Sequence, residues 1–249
     1  MTSPRFYGAA PPGVHNVALA GRLIVIEGTD GVGRSTHVSL LKEWLESRGY
    51  AVVNTGLRRS ELAGRGIERA KRGNTLDPLT LNLLYATDFS DRLERSILPA
   101  LRAGMVALVD RYIFSLMARA RVRGLGAEWV ENLYGFALIP DLVVYLDIDI
   151  EHLVPRVLGS TGFDYWESGQ DYLPGPDVYE NFVEHQSRLL AEFRRLAVEH
   201  AFTTVDARGP VAEVFRSLCE IIEPVVQGMA TFDEASNGHL LELPPIASE

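Results

Sequence analysis

The stretch Gly28-Thr29-Asp30-Gly31-Val32-Gly33-Arg34-Ser35-Thr36 constrains this chain more than any other. It follows the apolar run Leu23–Ile26 and precedes a helical stripe of Val38, Leu41, Trp44 and Leu45 that Gly49 ends. Strand, glycine loop and helix in that order match G-x-x-x-x-G-K-[ST] at every fixed position but the lysine, where Arg34 stands. Glycines let the backbone wrap so that successive N–H groups point at phosphate oxygens, and the helix adds its positive end. Ser35 is placed to ligate Mg2+ through its hydroxyl. Arg34 supplies charge and forked donors, yet its guanidinium is larger and flatter than an ammonium. Two readings of Arg34 stay open: a phosphate cation in a slightly widened loop, or a loop that binds nucleotide without turnover. A glycine-rich turn with no ligand is the bland alternative, and the order of the flanking elements argues against it.

Five apolar runs, Leu23–Ile26, Ala51–Val53, Met105–Val109, Leu142–Leu146 and Phe202–Val205, alternate with helical patterns. The longest helical pattern runs from Pro176 through His200. This is the sequence form of an α/β domain with a doubly wound parallel sheet. The first four runs end at or near Glu27, Asn54, Asp110 and Asp147, and Asp206 follows the fifth. Ligands of such sheets sit beyond the carboxyl ends of the strands, so these positions are expected to line one cleft.

With 249 residues, 47% of them hydrophobic, the chain can fill the core of one large domain, placed here at residues 20–227. Residues 1–19 read as a flexible extension rich in Pro, Gly and Ala, and residues 228–249 as a disordered acidic tail. A net charge of −9 argues against a nonspecific grip on nucleic acid. The single Cys219 excludes an internal disulfide and a cysteine zinc cluster, which suits a reducing compartment. No stretch approaches the roughly 20 apolar residues of a membrane span. The expectation is a soluble cytoplasmic protein without membrane or nucleic-acid partners.

Ile26-Glu27-Gly28-Thr29-Asp30-Gly31-Val32-Gly33 resembles the loop of the thymidylate kinase family. The likeness covers most of Gly21 to Val226. It continues through Ile97-Leu98-Pro99-Ala100-Leu101, Asp110-Arg111-Tyr112, Pro140-Asp141-Leu142, Tyr145-Leu146-Asp147, Arg156 and Val205-Asp206-Ala207. The resemblance implies a P-loop NTPase fold: a five-stranded parallel sheet, helices on both faces and a lid, here about residues 157–178. It implies transfer of the ATP γ-phosphoryl group to a nucleoside monophosphate, dTMP by family default, with Mg2+. Arg34, Asp110 and Arg111 would then be catalytic, and Ser35 and Asp110 would hold the metal. Gly28, Asp30, Gly31, Val32, Gly33, Arg34, Ser35, Thr36, Arg156, Asp206 and Ala207 would hold ATP. Asp30, Arg58, Tyr85, Phe89, Arg111 and Arg119 would meet the acceptor. A homodimer is the family habit, with Asp88–Ala103 and Trp129–Ile139 as its apolar candidates.

Departures from the family pattern cluster at base recognition. Phe89 stands where an arginine usually reads thymine, with Asp88 and Asp91-Arg92 nearby, and Arg119-Ala120 replaces a tyrosine-glutamine pair. Thr55-Gly56-Leu57-Arg58-Arg59 replaces an R-E-P-like segment. Between Arg156 and Arg188 there is no Lys or Arg, so Arg58, Arg59 and the row Arg119, Arg121, Arg123 are the stand-ins for a lid cation. That row alternates, so on a helix it fans out and cannot converge on one phosphate. Tyr165-Trp166 either covers a ligand or anchors the lid on the core. Three functions stay open: a nucleoside monophosphate kinase, a catalytically weak nucleotide-binding sensor or partner, and a kinase of another small molecule.

Overall fold

The computed structural model describes residues 5–12, 14, 19–57, 60–73, 76–160, 162–173 and 175–231. Five strands, β1 (Arg22–Glu27), β2 (Val52–Gly56), β3 (Val106–Asp110), β4 (Leu142–Asp147) and β5 (Thr203–Asp206), form one parallel sheet in the order β2-β3-β1-β4-β5. The sheet lies within one residue of the predicted runs at each strand start, and the α/β class is as expected. β1 is central and its last five residues are buried, which is why it reads as an unbroken apolar run rather than an alternating one. Leu23 and Val25 point into one core; Ile24 and Ile26 point into the other.

The second core is closed by α1 (Arg34–Ser47) and α9 (Val211–Val226), through Val38, Leu41, Leu45, Val214, Leu218 and Ile222. Gly49 ends α1 at φ 83, where its N–H reaches Glu46 O at 3.0 Å and that of Tyr50 reaches Leu45 O at 3.1 Å. The first core is covered by α3 (Pro78–Arg92), α5 (Ile113–Val122) and α8 (Val178–Glu199), and α3 runs on through a wider turn at Leu93–Ile97 into α4 (Leu98–Arg102). Asp177 caps α8 by accepting from the N–H groups of Tyr179 (2.7 Å) and Glu180 (3.1 Å). Shorter helices α2 (Gly64–Arg72), α6 (Ala127–Leu133) and α7 (Ile150–Leu158) fill the connections.

Register brings the strand ends together: Ile26 and Gly56 both lie beside Asp110, Glu27 beside Tyr145, and Asp147 beside Asp206. The chain leaves β1 for β2 and β3 on one side and returns to β4 on the other, so the cleft at the end of β1 is the switch point of the sheet.

The N-terminal segment departs from the sequence expectation at its described residues. Phe6 bridges Leu138, Tyr7 N–H donates to Ala137 O at 3.1 Å, and the Tyr7 ring packs edge-on to Phe114 and His200. Two aromatic side chains in a Pro- and Gly-rich stretch gave the segment enough apolar area to dock. The acidic residues assigned to the tail, Asp233 onward, lie outside the described residues. Among the described residues no helix is long and apolar enough to cross a membrane.

Candidate active site

The loop between β1 and α1 turns on glycine. Gly31 sits at φ 80, and a Cβ there would come within 2.4 Å of a Val157 methyl; Gly33, at φ 99, precedes the first turn of α1. Val32 is buried beneath the loop. Arg34, the first helical residue, folds back under it. Its Nη1 donates to the carbonyls of Gly28 and Thr29, the latter at 2.8 Å, and its Nε donates to Asp110 Oδ1 at 2.6 Å. The two side chains are only 6% and 11% exposed, so the pair is held largely out of water. Ser35 Oγ donates to the other carboxylate oxygen of Asp110 at 3.1 Å, while Ser35 and Thr36 themselves face outward.

One residue past the end of β3, Arg111 meets Asp30 of the loop. Arg111 donates to one carboxylate oxygen of Asp30 and Arg119 of α5 donates to the other. Arg111 adopts φ 69, a conformation an L side chain rarely takes, and it does so at the turn that carries the chain from β3 into α5. Burial, followed by the neighbouring Arg119 cation, pushes the Arg111 pKa down to about 9, which leaves it charged at neutral pH.

Glu27 makes that turn possible. Its fully buried carboxylate accepts from Tyr112 N–H at 2.8 Å, Ser115 N–H at 3.3 Å and Ser115 Oγ at 2.5 Å. These N–H groups belong to the open first turn of α5, so Glu27 is a helix cap supplied from another strand. Burial raises its pKa, and the hydrogen bonds of Ser115 and Tyr112 and the charge of Arg34 pull the other way. The sequence marked Glu27 as a polar strand end and as part of the family-like loop, without a role; a charge closing a buried strand was the available signal.

On the far rim of the loop, Arg156 donates from Nη1 to Val32 O at 3.2 Å and from Nη2 to Arg208 O at 2.9 Å. It therefore ties the phosphate loop to the segment after β5. There Ala207 is buried, with its N–H on Asp147 O at 2.8 Å, and Asp206 is exposed and paired with Arg208 at 2.7 Å.

The remaining acceptor candidates separate. Tyr85 and Arg119 line one cavity with Asn82, Lys71, Arg123 and Trp166, closed down to about 20 Å3, room for one water. Phe89 is elsewhere: fully buried, with ring centroids 5.0 Å from Tyr112 and 5.4 Å from Phe136, it presents no face to a base in this conformation. Asp88 pairs with Arg92 at 3.0 Å in the same core, and Asp91 accepts from Ser60 Oγ at 2.7 Å. Arg58 and Arg59 lie outside the described residues.

The arginine row of α5 fans out. Arg119 goes to Asp30, Arg121 to Glu131 and Glu192, and Arg123 to Asp171, between α7 and α8, at 2.6 and 3.0 Å. Arg123 also holds Trp166 O at 3.2 Å, and Trp166 Nε1 reaches back to Lys71 O at 3.0 Å. Trp166 is thus an anchor that also walls the cavity. Chemically, the cleft gathers a glycine-rich loop at a helix N-terminus, a carboxylate and hydroxyl suited to a hard cation, and guanidinium groups. Groups of these kinds can align phosphates and neutralise their charge.

Comparison with known proteins agrees with this geometry. The family model for thymidylate kinase matches residues 26–218. A probable thymidylate kinase 2 of Saccharolobus solfataricus is 37% identical over 198 residues, covering 79% of this chain and 92% of its own. A probable thymidylate kinase of Thermococcus gammatolerans is 31% identical over 82% of this chain and 96% of its own. A thymidylate kinase of Caldanaerobacter subterraneus is 32% identical over 84% and 99%.

Proposed function

The chain belongs to the thymidylate kinase family, and on that premise we propose that it moves the γ-phosphoryl group of Mg-ATP to a nucleoside monophosphate, dTMP first among the candidates. The observation that carries the reading is that two hydrogen-bonded groups, Arg34 and Ser35 on Asp110 and Arg111 and Arg119 on Asp30, meet at the consecutive residues Asp110 and Arg111. In this reading the loop N–H groups bind the donor phosphates, Arg156 and the Asp206-Ala207 segment border the donor base, and Arg111 and Arg119 meet the acceptor phosphate. Asp30, released from one guanidinium by that phosphate, turns toward the acceptor sugar. Ser35 Oγ and Asp110 Oδ2, 3.1 Å apart, are the oxygens that would hold Mg2+. The metal, when bound, neutralises charge on the phosphates.

In-line transfer needs little covalent chemistry from the protein, so the residues act by alignment. Arg34 keeps the Asp110 carboxylate turned toward Ser35, Glu27 keeps Arg111 on its turn, and Asp30 bridges the two guanidinium groups and offsets their repulsion until the acceptor arrives.

A second reading, a nucleotide-binding protein with little turnover, draws support from one observation. Arg34 spends Nε and Nη1 on protein acceptors, leaving Nη2 for a ligand. Incubation with Mg-ATP and a panel of ribo- and deoxynucleoside monophosphates, following ADP formation, separates the readings. The kinase reading expects turnover on dTMP that Asp110→Asn abolishes; binding of ATP with no acceptor-dependent ADP supports the second.

A further inference from the structure

Gln186 of α8 is a fully buried amide with no part in the roles above. It interrupts the inward stripe of Phe182, Leu189, Leu190 and Phe193, where an apolar side chain would cost nothing to bury. An amide in that place is costly unless both ends are satisfied. Both are. Its Oε1 accepts from the Thr29 hydroxyl in the phosphate loop, and its Nε2 donates to the Glu167 carbonyl in the lid at 2.8 Å.

The neighbours of those two partners give the link its meaning. Thr29 precedes Asp30, which holds Arg111 and Arg119. Glu167 follows Trp166, whose indole walls the cavity beside Tyr85 and Arg119. The lid turn itself is stiff: Asp164 Oδ1 accepts from Trp166 N–H at 2.9 Å, and Arg123 clamps Asp171 with both partners 5% exposed. A shift at either end of Gln186 is therefore passed on rather than absorbed.

The geometry points to Gln186 as a positioning residue that sets the lid in register with the phosphate loop, and so seats Trp166 on the pocket for the nucleoside monophosphate. It works by placement alone; no proton moves. The identity of the acceptor rests on the kinase reading above, whereas the mechanical link is readable without turnover.

The test uses full-length protein in a Trp44→Phe, Trp129→Phe background, leaving Trp166 as its one tryptophan. Acrylamide quenching of Trp166 is measured beside the KM and kcat for dTMP and the KM for ATP. Gln186→Leu removes both hydrogen bonds, and Thr29→Val removes the loop half while keeping the carbonyl that Arg34 uses. Each variant is expected to expose Trp166 to quencher and to raise the acceptor KM about five- to tenfold, the scale of a buried hydrogen bond, and by more than it raises the ATP KM. The double variant should match Gln186→Leu, because the two changes break one connection. Unchanged quenching in the folded variants, or losses that add, would overturn the inference. Should Gln186→Leu fail to fold, Thr29→Val alone decides by the same criteria. A parent protein that shows the quenching effect but transfers no phosphoryl group keeps the link and removes the kinase reading.

Discussion

Arg34 and Asp110 are joined by a 2.6 Å hydrogen bond that runs from the first turn of α1 to the last residue of β3. The bond makes the loop arginine a strut, because the same guanidinium holds the carbonyls of Gly28 and Thr29. A lysine has three donors around one nitrogen and cannot span these acceptors in one plane.

It follows that Arg34→Lys, although it restores the common loop residue, is expected to weaken this protein. Thermal or urea unfolding should show a loss of about 1–3 kcal/mol, the range for disturbing a largely buried ion pair and its hydrogen bonds. Turnover should fall with it. A gain in both would mean that the strut is dispensable.

Glu27 caps the turn that carries Arg111, so Glu27→Ala is expected to cost about 3 kcal/mol by leaving the Tyr112 and Ser115 N–H groups unpaired in the core. Glu27→Gln, which keeps one acceptor oxygen, should cost less. Urea midpoints of the two variants check the order.

Much of this was legible in the sequence. The five strands, α1 and α8 follow from apolar runs and period, since buried parallel strands and amphipathic helices leave those marks whatever the tertiary detail. The glycine loop was legible because its spacing is set by backbone geometry. The partners of Arg34, the cap from Glu27 and the Gln186 link were not, because each joins residues 76, 88 or 157 positions apart and depends on register. A trace of Gln186 was present as a polar break in an apolar stripe. Phe89, weighed as a base contact, shows the converse: spacing cannot tell a core aromatic from a stacking one, and Tyr112 and Phe136 occupy its faces.

His185 supplies a pH prediction. Burial first, then the Arg123, Arg119 and Arg188 cations, lower its pKa from 6.5 to about 2, and its Nδ1 is bonded to Tyr172 Oη at 2.8 Å. The folded protein keeps the ring neutral while the unfolded chain protonates it, so stability is full above about pH 6.5 and is lost as pH falls below it, by up to ~1.4 kcal/mol per unit. His37 and His200 are lowered by burial as well and add in the same direction. Glu27, raised by burial, opposes them as pH falls through its raised pKa toward the usual carboxylate range. Unfolding free energies between pH 7.5 and 5.5 should decline, and His185→Gln should flatten the slope; an unchanged slope contradicts the assignment.

Arg111 offers a backbone test that is independent of catalysis. At φ 69 a Cβ is strained and glycine is not, so Arg111→Gly should be more stable than Arg111→Ala by about 1 kcal/mol, although both lack the guanidinium. Paired denaturation curves decide it. On the kinase reading, in which Arg111 meets the acceptor phosphate, both variants should also lose activity together.

The most direct measurement is phosphorus NMR of the full-length protein with Mg-ATP and dTMP, watching for the two phosphorus signals of dTDP beside those of ADP. The account predicts that both products appear in equal amounts and that neither appears with Asp110→Asn. ATP that binds, shown by a ligand-dependent rise in Tm, yet never passes its phosphoryl group to dTMP would contradict it.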